Sequence, residues 1–177
     1  MARDLNGDGD ADLVVGPGLS QGVKVLIGGP GATFGPPVTY RVRGGVTSLA
    51  VGDLNHDGHR DIVTAEFAPD GVSILLGRGD GTFAPYYGYV LNNGAFGVAI
   101  SDVNLDRNQD LLVGIPGVPK NKIKGFLGSG DGTFAKVLSV PMPGPGELVA
   151  RDLNHDGAPD LAAVNVAFDN VSVALQA

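Results

Sequence analysis

The stretch Asp53-Leu-Asn-His-Asp-Gly-His-Arg-Asp61 decides how the rest of the chain is read, because its pattern occurs four times. Asp4-Leu-Asn-Gly-Asp-Gly-Asp-Ala-Asp12, Asp102-Val-Asn-Leu-Asp-Arg-Asn-Gln-Asp110 and Asp152-Leu-Asn-His-Asp-Gly-Ala-Pro-Asp160 align with it without gaps. The copies start 49, 49 and 50 residues apart, so an internal repeat organises the chain before any secondary structure is assigned. A second motif follows the first three copies at a nearly fixed distance: Gly28-Gly-Pro-Gly-Ala-Thr-Phe34, Gly77-Arg-Gly-Asp-Gly-Thr-Phe83 and Gly128-Ser-Gly-Asp-Gly-Thr-Phe134.

Between these markers the pattern is that of β-strands. Apolar runs lead into the last three loops (Leu49-Ala-Val, Val98-Ala-Ile, Leu148-Val-Ala) and out of all four (Leu13-Val-Val, Ile62-Val, Leu111-Leu-Val, Leu161-Ala-Ala). A third run follows, such as Val72-Ser-Ile-Leu-Leu76, then the Gly-rich turn, then a more polar strand such as Val38-Thr-Tyr-Arg-Val42. With 29 Gly and 12 Pro in 177 residues, turn formers are about twice as common as usual, which excludes a helical bundle. An apolar share of 43% excludes disorder. The fold class is therefore all-β, and four strands in about 49 residues is the size of one blade of a β-propeller. The expectation is four-stranded antiparallel blades in about four repeats, near residues 1–46, 47–95, 96–145 and 146–177, the last lacking its outer strand. An open stack of this kind leaves apolar end faces in water. Three outcomes follow: a closed four-bladed ring, two chains completing one larger ring, or a segment of a longer propeller.

The loops carry the chemistry. Oxygen side chains stand at positions 1, 3, 5 and 9: Asp4, Asn6, Asp8 and Asp12; Asp53, Asn55, Asp57 and Asp61; Asp102, Asn104, Asp106 and Asp110; Asp152, Asn154, Asp156 and Asp160. Position 7 (Asp10, His59, Asn108, Ala158) is free to turn its backbone carbonyl inward. Such a cage suits a hard cation, and Ca²⁺ takes six to eight oxygens in a flexible shell. Up to four Ca²⁺ are expected, and four would reverse the net charge of −7. The acidic composition agrees: all 19 acids except Glu66 and Glu147 are Asp, whose short side chain lets a tight loop wrap an ion. Three carboxylates within about 4–5 Å repel by a few kcal/mol per pair at an effective dielectric of ~20. The competing reading is an ordinary Asx-turn without an ion. Position 12 is Val15, Thr64, Val113 or Ala163, not the Glu of an EF-hand. Loop 3 is expected to be the weakest site, because Arg107 replaces the position-6 Gly and brings a positive charge.

On the Asp loop and the downstream G-x-G-D-G-T-F turn, the chain resembles the FG-GAP and VCBS repeat family, calcium-loop propellers that include the integrin α-subunit head and many secreted bacterial proteins. The resemblance spans essentially the whole chain. It implies that each loop joins strands A and B of a blade, and that the side chains at positions 1, 3, 5 and 9 and the carbonyl of position 7 bind Ca²⁺. It further implies a largely structural role for the ion and an extracellular or cell-surface setting, where calcium is plentiful. Family propellers are usually seven-bladed, more than four repeats provide.

Other functions are less well supported. His56, His59 and His155 lie inside the loops at solvent-facing positions, and no nucleophile and base recur with them, so catalysis is not expected. The 12 Lys and Arg are scattered, which argues against nucleic acid as partner. Ala84 to Ser101, within the longest uncharged stretch, contains Pro85, Asn92 and Asn93, which argues against membrane insertion. No cysteine is present, so redox chemistry says nothing about compartment. Arg3 and Asp4 follow Met1 where a signal peptide would turn apolar, so a secreted chain would here be in its mature or excised form. Arg78-Gly79-Asp80 spells an adhesion tripeptide but sits at a variable position of the repeated turn. Tyr86, Tyr87, Tyr89 and Phe96, the one aromatic concentration, are expected to fill space between blades. The expected function is a non-enzymatic, secreted binding or adhesion scaffold for a protein or glycan. The alternatives are a non-catalytic fragment of a larger secreted enzyme, such as a polysaccharide-degrading one, and a self-assembling module whose homo-oligomer completes the ring.

Overall fold

The computed structural model describes residues 1–16, 18, 22–117, 121–165 and 169–176, and only the backbone of residues 136 and 137. Four antiparallel sheets follow one another along the chain. The first joins β1 (Ala2–Arg3), β2 (Asp12–Val15), β3 (Val23–Leu26) and β6 (Val38–Tyr40), with a two-stranded hairpin of β4 (Gly28–Gly29) and β5 (Thr33–Phe34) at the Gly-rich turn. In the second, β7 (Gly45–Gly52), β8 (Asp61–Phe67), β9 (Gly71–Leu75) and β10 (Tyr87–Val90) pair in sequence order. The third repeats this with β11 (Gly97–Ser101), β12 (Asp110–Ile115), β13 (Lys122–Gly128) and β14 (Phe134–Pro141). The fourth has three strands among the described residues: β15 (Pro145–Arg151), β16 (Asp160–Asn165) and β17 (Asn170–Ala174).

The burial follows the sequence pattern. Every residue of β9 and β12 is buried, and all of β8 except Phe67, because both faces of these strands are covered. β10, at the edge of its sheet, alternates half-buried and exposed. Successive residues of a strand face opposite ways, so each second strand sends one side chain back and the next forward. Ile62 looks back and packs with Val14, Val23 and Val25 of the first sheet. Val63 looks forward and packs with Val98, Leu111 and Val113 of the third. Ala99, Leu112 and Ile123 then meet Leu148, Ala163 and the partly buried Leu161 of the fourth. Side chains opposite one another in a ladder share a face. The register places Val149 beside Ala162 and Val173, and Val164 beside Val171, on the forward face of the fourth sheet. These residues correspond to Ala50, Val63, Ile74, Ala65 and Val72 of the second sheet, which are buried there against the third. In the fourth repeat Val171, and Leu175 just past β17, are each 62% exposed. This end face is the apolar surface anticipated for an open stack.

Candidate metal centre

All four Asp loops lie between the first and second strands of their sheets. The carboxylates at position 9, Asp12, Asp61, Asp110 and Asp160, are wholly buried and act as bolts. One oxygen of each accepts the N–H of the residue after position 1: Leu5 at 2.7 Å, Leu54 at 2.8 Å, Val103 at 2.9 Å and Leu153 at 2.8 Å. The other accepts an N–H at or just beyond the end of the third strand: Gly28 at 2.7 Å, Gly77 and Gly128 at 2.8 Å, and Gln176 at 2.9 Å. A Cβ on Gly28, Gly77 or Gly128 would stand 2.2–2.3 Å from the carbonyl oxygen of Ala11, Arg60 or Gln109. The near-constant offset between the two motifs thus has a steric cause: the first Gly of the turn must sit against the end of the Asp loop.

The other loop positions are held by an Asx network. Position 1 accepts the N–H of position 6, from Gly9, Gly58 and Gly157 at 3.0 Å and from Arg107 at 2.7 Å. Asn6, Asn55, Asn104 and Asn154 donate Nδ2–H to the carboxylates of Asp8, Asp57, Asp106 and Asp156 at 2.7–2.8 Å. The position-5 carboxylates also accept the N–H of Asp10, His59, Asn108 and Ala158, each at 2.8 Å. Two positions in each loop take the left-handed conformation. Position 6 does so as expected, in Gly9, Gly58 and Gly157 and also in Arg107 at φ 75°. Position 4 does so too, in Gly7, His56, Leu105 and His155, which the sequence signalled only at Gly7.

The structure therefore brings positions 1, 3, 5 and 9 into one small loop, four times over. Among the described residues, however, no three carboxylate or imidazole groups converge on a single point. The donor set is nevertheless all oxygen and suits a hard cation. In loop 2, Asp53 Oδ1 is buried and has no hydrogen-bond partner among the described residues. Burial pushes the Asp61 carboxyl up to about 6, and the nearby charges of Asp57 and Asp53 add to the rise. Asp110 moves the same way, chiefly through burial, with Asp106 and Asp102 contributing. Asp4, Asp106 and Asp156 lie below the usual carboxylate range, held there first by the backbone N–H groups of Gly7, Asn108 and Ala158. A divalent cation in loop 2 would engage Asp53 Oδ1 and relieve the repulsion on Asp61.

The three histidines are exposed, as expected, but His56 links neighbouring repeats and His59 packs within its own. His56 Nε2 lies 3.1 Å from Asn108 Oδ1 of loop 3, and the His59 ring packs over Gly79 of the adjoining turn. The aromatic residues divide. Tyr89 stacks on Phe126 and meets Phe134 edge-on between the second and third sheets, and the Tyr87 hydroxyl donates to the Gly132 carbonyl. Phe96 packs on Phe67, whereas Tyr86 is exposed.

Sequential antiparallel sheets, packed face to face and each opening on the same loop, define a β-propeller-like repeat protein. The model of the FG-GAP-like repeat matches residues 4–64, 57–113 and 102–163, and the chain belongs to that family. No curated protein matches it. Among solved structures, the crystal structure of BBS1N in complex with ARL6DN, soaked with lead, is similar over 97% of this chain at a TM-score of 0.62 and 14% identity. The match covers 54% of that chain, so this chain spans about half its length. At that identity the likeness is one of fold.

Proposed function

We propose that the protein is a calcium-stabilised propeller scaffold, non-enzymatic, acting outside the cell as a binding module for a protein or glycan. The observation that carries the calcium part is Asp53 Oδ1, buried and without a hydrogen-bond partner among the described residues, in a loop whose all-oxygen donor set recurs four times. Ca²⁺ would be held by Asp53, Asn55, Asp57 and Asp61, with the carbonyl of His59, and by the corresponding residues of the other loops. Because the folded loop binds far better than the unfolded chain, binding would stabilise the fold by mass action, by about 2.7 kcal/mol at a hundredfold excess over Kd. Thermal melts with calcium and with excess EDTA test this. A transition at least several degrees higher in calcium is expected, and an unchanged one overturns the reading. Calorimetric titration then gives the number of sites, with loop 3 filling last.

The exposed apolar face of Val149, Val164, Val171, Val173 and Leu175 supports a second reading, in which another copy of the chain lays its first sheet there and completes the ring. Light scattering in calcium tests it: a dimer is expected, and a strict monomer excludes it.

A further inference from the structure

The seam between the first and second sheets opens at its outer rim into a cavity of about 640 Å³. Its floor is apolar: Val42, Leu75 and Phe83 are buried, and Tyr40 meets Phe83 edge-on at 5.2 Å between ring centres. Its walls hold Arg41, Arg43 and Arg78, and no lining residue is acidic. That is a quarter of the 12 basic residues of a chain with net charge −7, gathered in one place. Two of the three are positioned by the fold. Arg78 gives Nη1–H to the Phe83 carbonyl at 3.2 Å across the Gly-rich turn and lies near the exposed Asp80 carboxylate, while its other guanidinium N–H groups make no hydrogen bond among the described residues. The Arg43 stem runs past Gly71, where a Cβ would lie 3.2 Å from its Cδ; its charge acts on the buried Glu66 carboxyl behind the cavity, but its buried Nε–H has no hydrogen-bond partner among the described residues. A buried donor left unpaired costs free energy that an incoming acceptor restores.

We propose that this cavity binds the oxyanion of an acidic saccharide, a carboxylate or sulfate group seated between the guanidinium groups with the sugar ring over Tyr40 and Tyr86. Guanidinium forks match such groups with two parallel hydrogen bonds each, which ammonium groups do not, and the cavity wall offers arginine without lysine. The aromatic residues supply the apolar contact that a sugar ring needs and a free inorganic ion does not. The volume lies within the range of small-ligand sites, and the open mouth lets a longer chain continue out of it. The inference rests on the binding-module reading above and names its ligand class.

The test uses the full chain in calcium, titrated with digalacturonate, a sulfated disaccharide, neutral cellobiose and a Glu-rich peptide. One or both acidic sugars should bind at least tenfold more tightly than cellobiose and than the peptide, and which of them does so identifies the oxyanion. The double variant Arg41→Gln, Arg78→Gln alters two exposed side chains and should keep its calcium-dependent melt while losing at least tenfold in affinity, about 1.4 kcal/mol. Arg43→Gln should weaken binding in the same direction. Equal binding of cellobiose, preference for the peptide, undiminished binding by the double variant, or no binding by any sugar overturns the proposal. A normal calcium-dependent melt alongside such a result leaves the calcium scaffold standing, so the two can fail separately.

Discussion

The second and third repeats carry the same loop chemistry but satisfy it differently. In loop 2 the position-6 residue is Gly58, and Asp53 uses Oδ2 for its N–H while Oδ1 stays buried and unpaired. In loop 3 the residue is Arg107, and both oxygens of Asp102 are engaged, Oδ1 by Asp106 N–H at 3.1 Å and Oδ2 by Arg107 N–H at 2.7 Å. Loop 2 leaves one carboxylate oxygen without a hydrogen bond among the described residues, and loop 3 is closer to a self-sufficient Asx-turn. The contrast continues in the strands. Glu66 of β8 is buried five residues beyond Asp61, where β12 has Ile115 five residues beyond Asp110. A repeated sequence pattern thus encodes a common frame, while the hydrogen bonding and burial within each copy are set by residues the pattern leaves free.

The frame itself should break equally in both repeats, with the largest effects. Asp61→Ala strands the N–H groups of Leu54 and Gly77, and Asp110→Ala those of Val103 and Gly128. Unpaired buried amides cost roughly 1–3 kcal/mol each, so either change should cost about 3 kcal/mol or more, on the order of a 10 °C fall in Tm. The melts are run in EDTA, so that lost calcium does not enter. A fall much larger at one site than the other would show that the bolt is not shared. Next in size is calcium affinity. Asp53→Asn should weaken the tightest site at least tenfold, about 1.4 kcal/mol, whereas Asp102→Asn should alter only a weaker one. Calorimetry showing the tightest site untouched by Asp53→Asn would invert the ranking of the two loops.

These residues also show what the sequence made legible. The period of 49–50 residues, the strand order and the forward and backward apolar faces were readable because they repeat, and repetition averages out local noise. The position-6 turn was readable because Gly marks it. The bolt was not: nothing in a linear pattern says that both oxygens of position 9, besides the ligand role expected of them, accept amides 7 residues before and 16–18 after it. Position 4 was missed because His56, Leu105 and His155 adopt a conformation their residue types do not advertise. The link from His56 to Asn108 was hidden because it crosses between repeats 52 residues apart. The arginine cavity is assembled from two segments of different repeats, each unremarkable alone.

Arg107 offers a direct way to convert one loop toward the other. Left-handed backbone costs a non-glycine residue on the order of 1–2 kcal/mol, so Arg107→Gly should stabilise the protein by about 1 kcal/mol in EDTA. It should also tighten loop 3 for calcium by removing a positive charge. The reverse change, Gly58→Arg, should cost a similar amount. If Arg107→Gly is neutral in both melts and titration, the difference between the loops lies elsewhere.

The smallest effect expected is the pH signature of Glu66. Its Oε1 accepts a hydrogen bond from the Thr64 hydroxyl at 2.8 Å, its Oε2 has no hydrogen-bond partner among the described residues, and burial raises its pKa above the ordinary glutamate value against the opposing pull of the Ser73 and Thr64 hydroxyls and the Arg43 charge. A carboxyl whose pKa is raised on folding holds its proton better in the folded state, so its contribution to stability is fully present below the unfolded pKa. That contribution is lost as pH rises through the folded value. The native protein in EDTA should therefore lose stability from this group on going from about pH 4 to neutrality. Glu66→Gln, which never ionises, should remove that slope and raise Tm at pH 7 by roughly 2 °C. At pH 4 the two proteins should differ little. Glu66→Ile, which copies the third repeat, should abolish the slope as well. A variant whose slope matches the native one would mean that Glu66 is already ionised and answered in the fold, and the second and third repeats would then be electrostatically alike at this position.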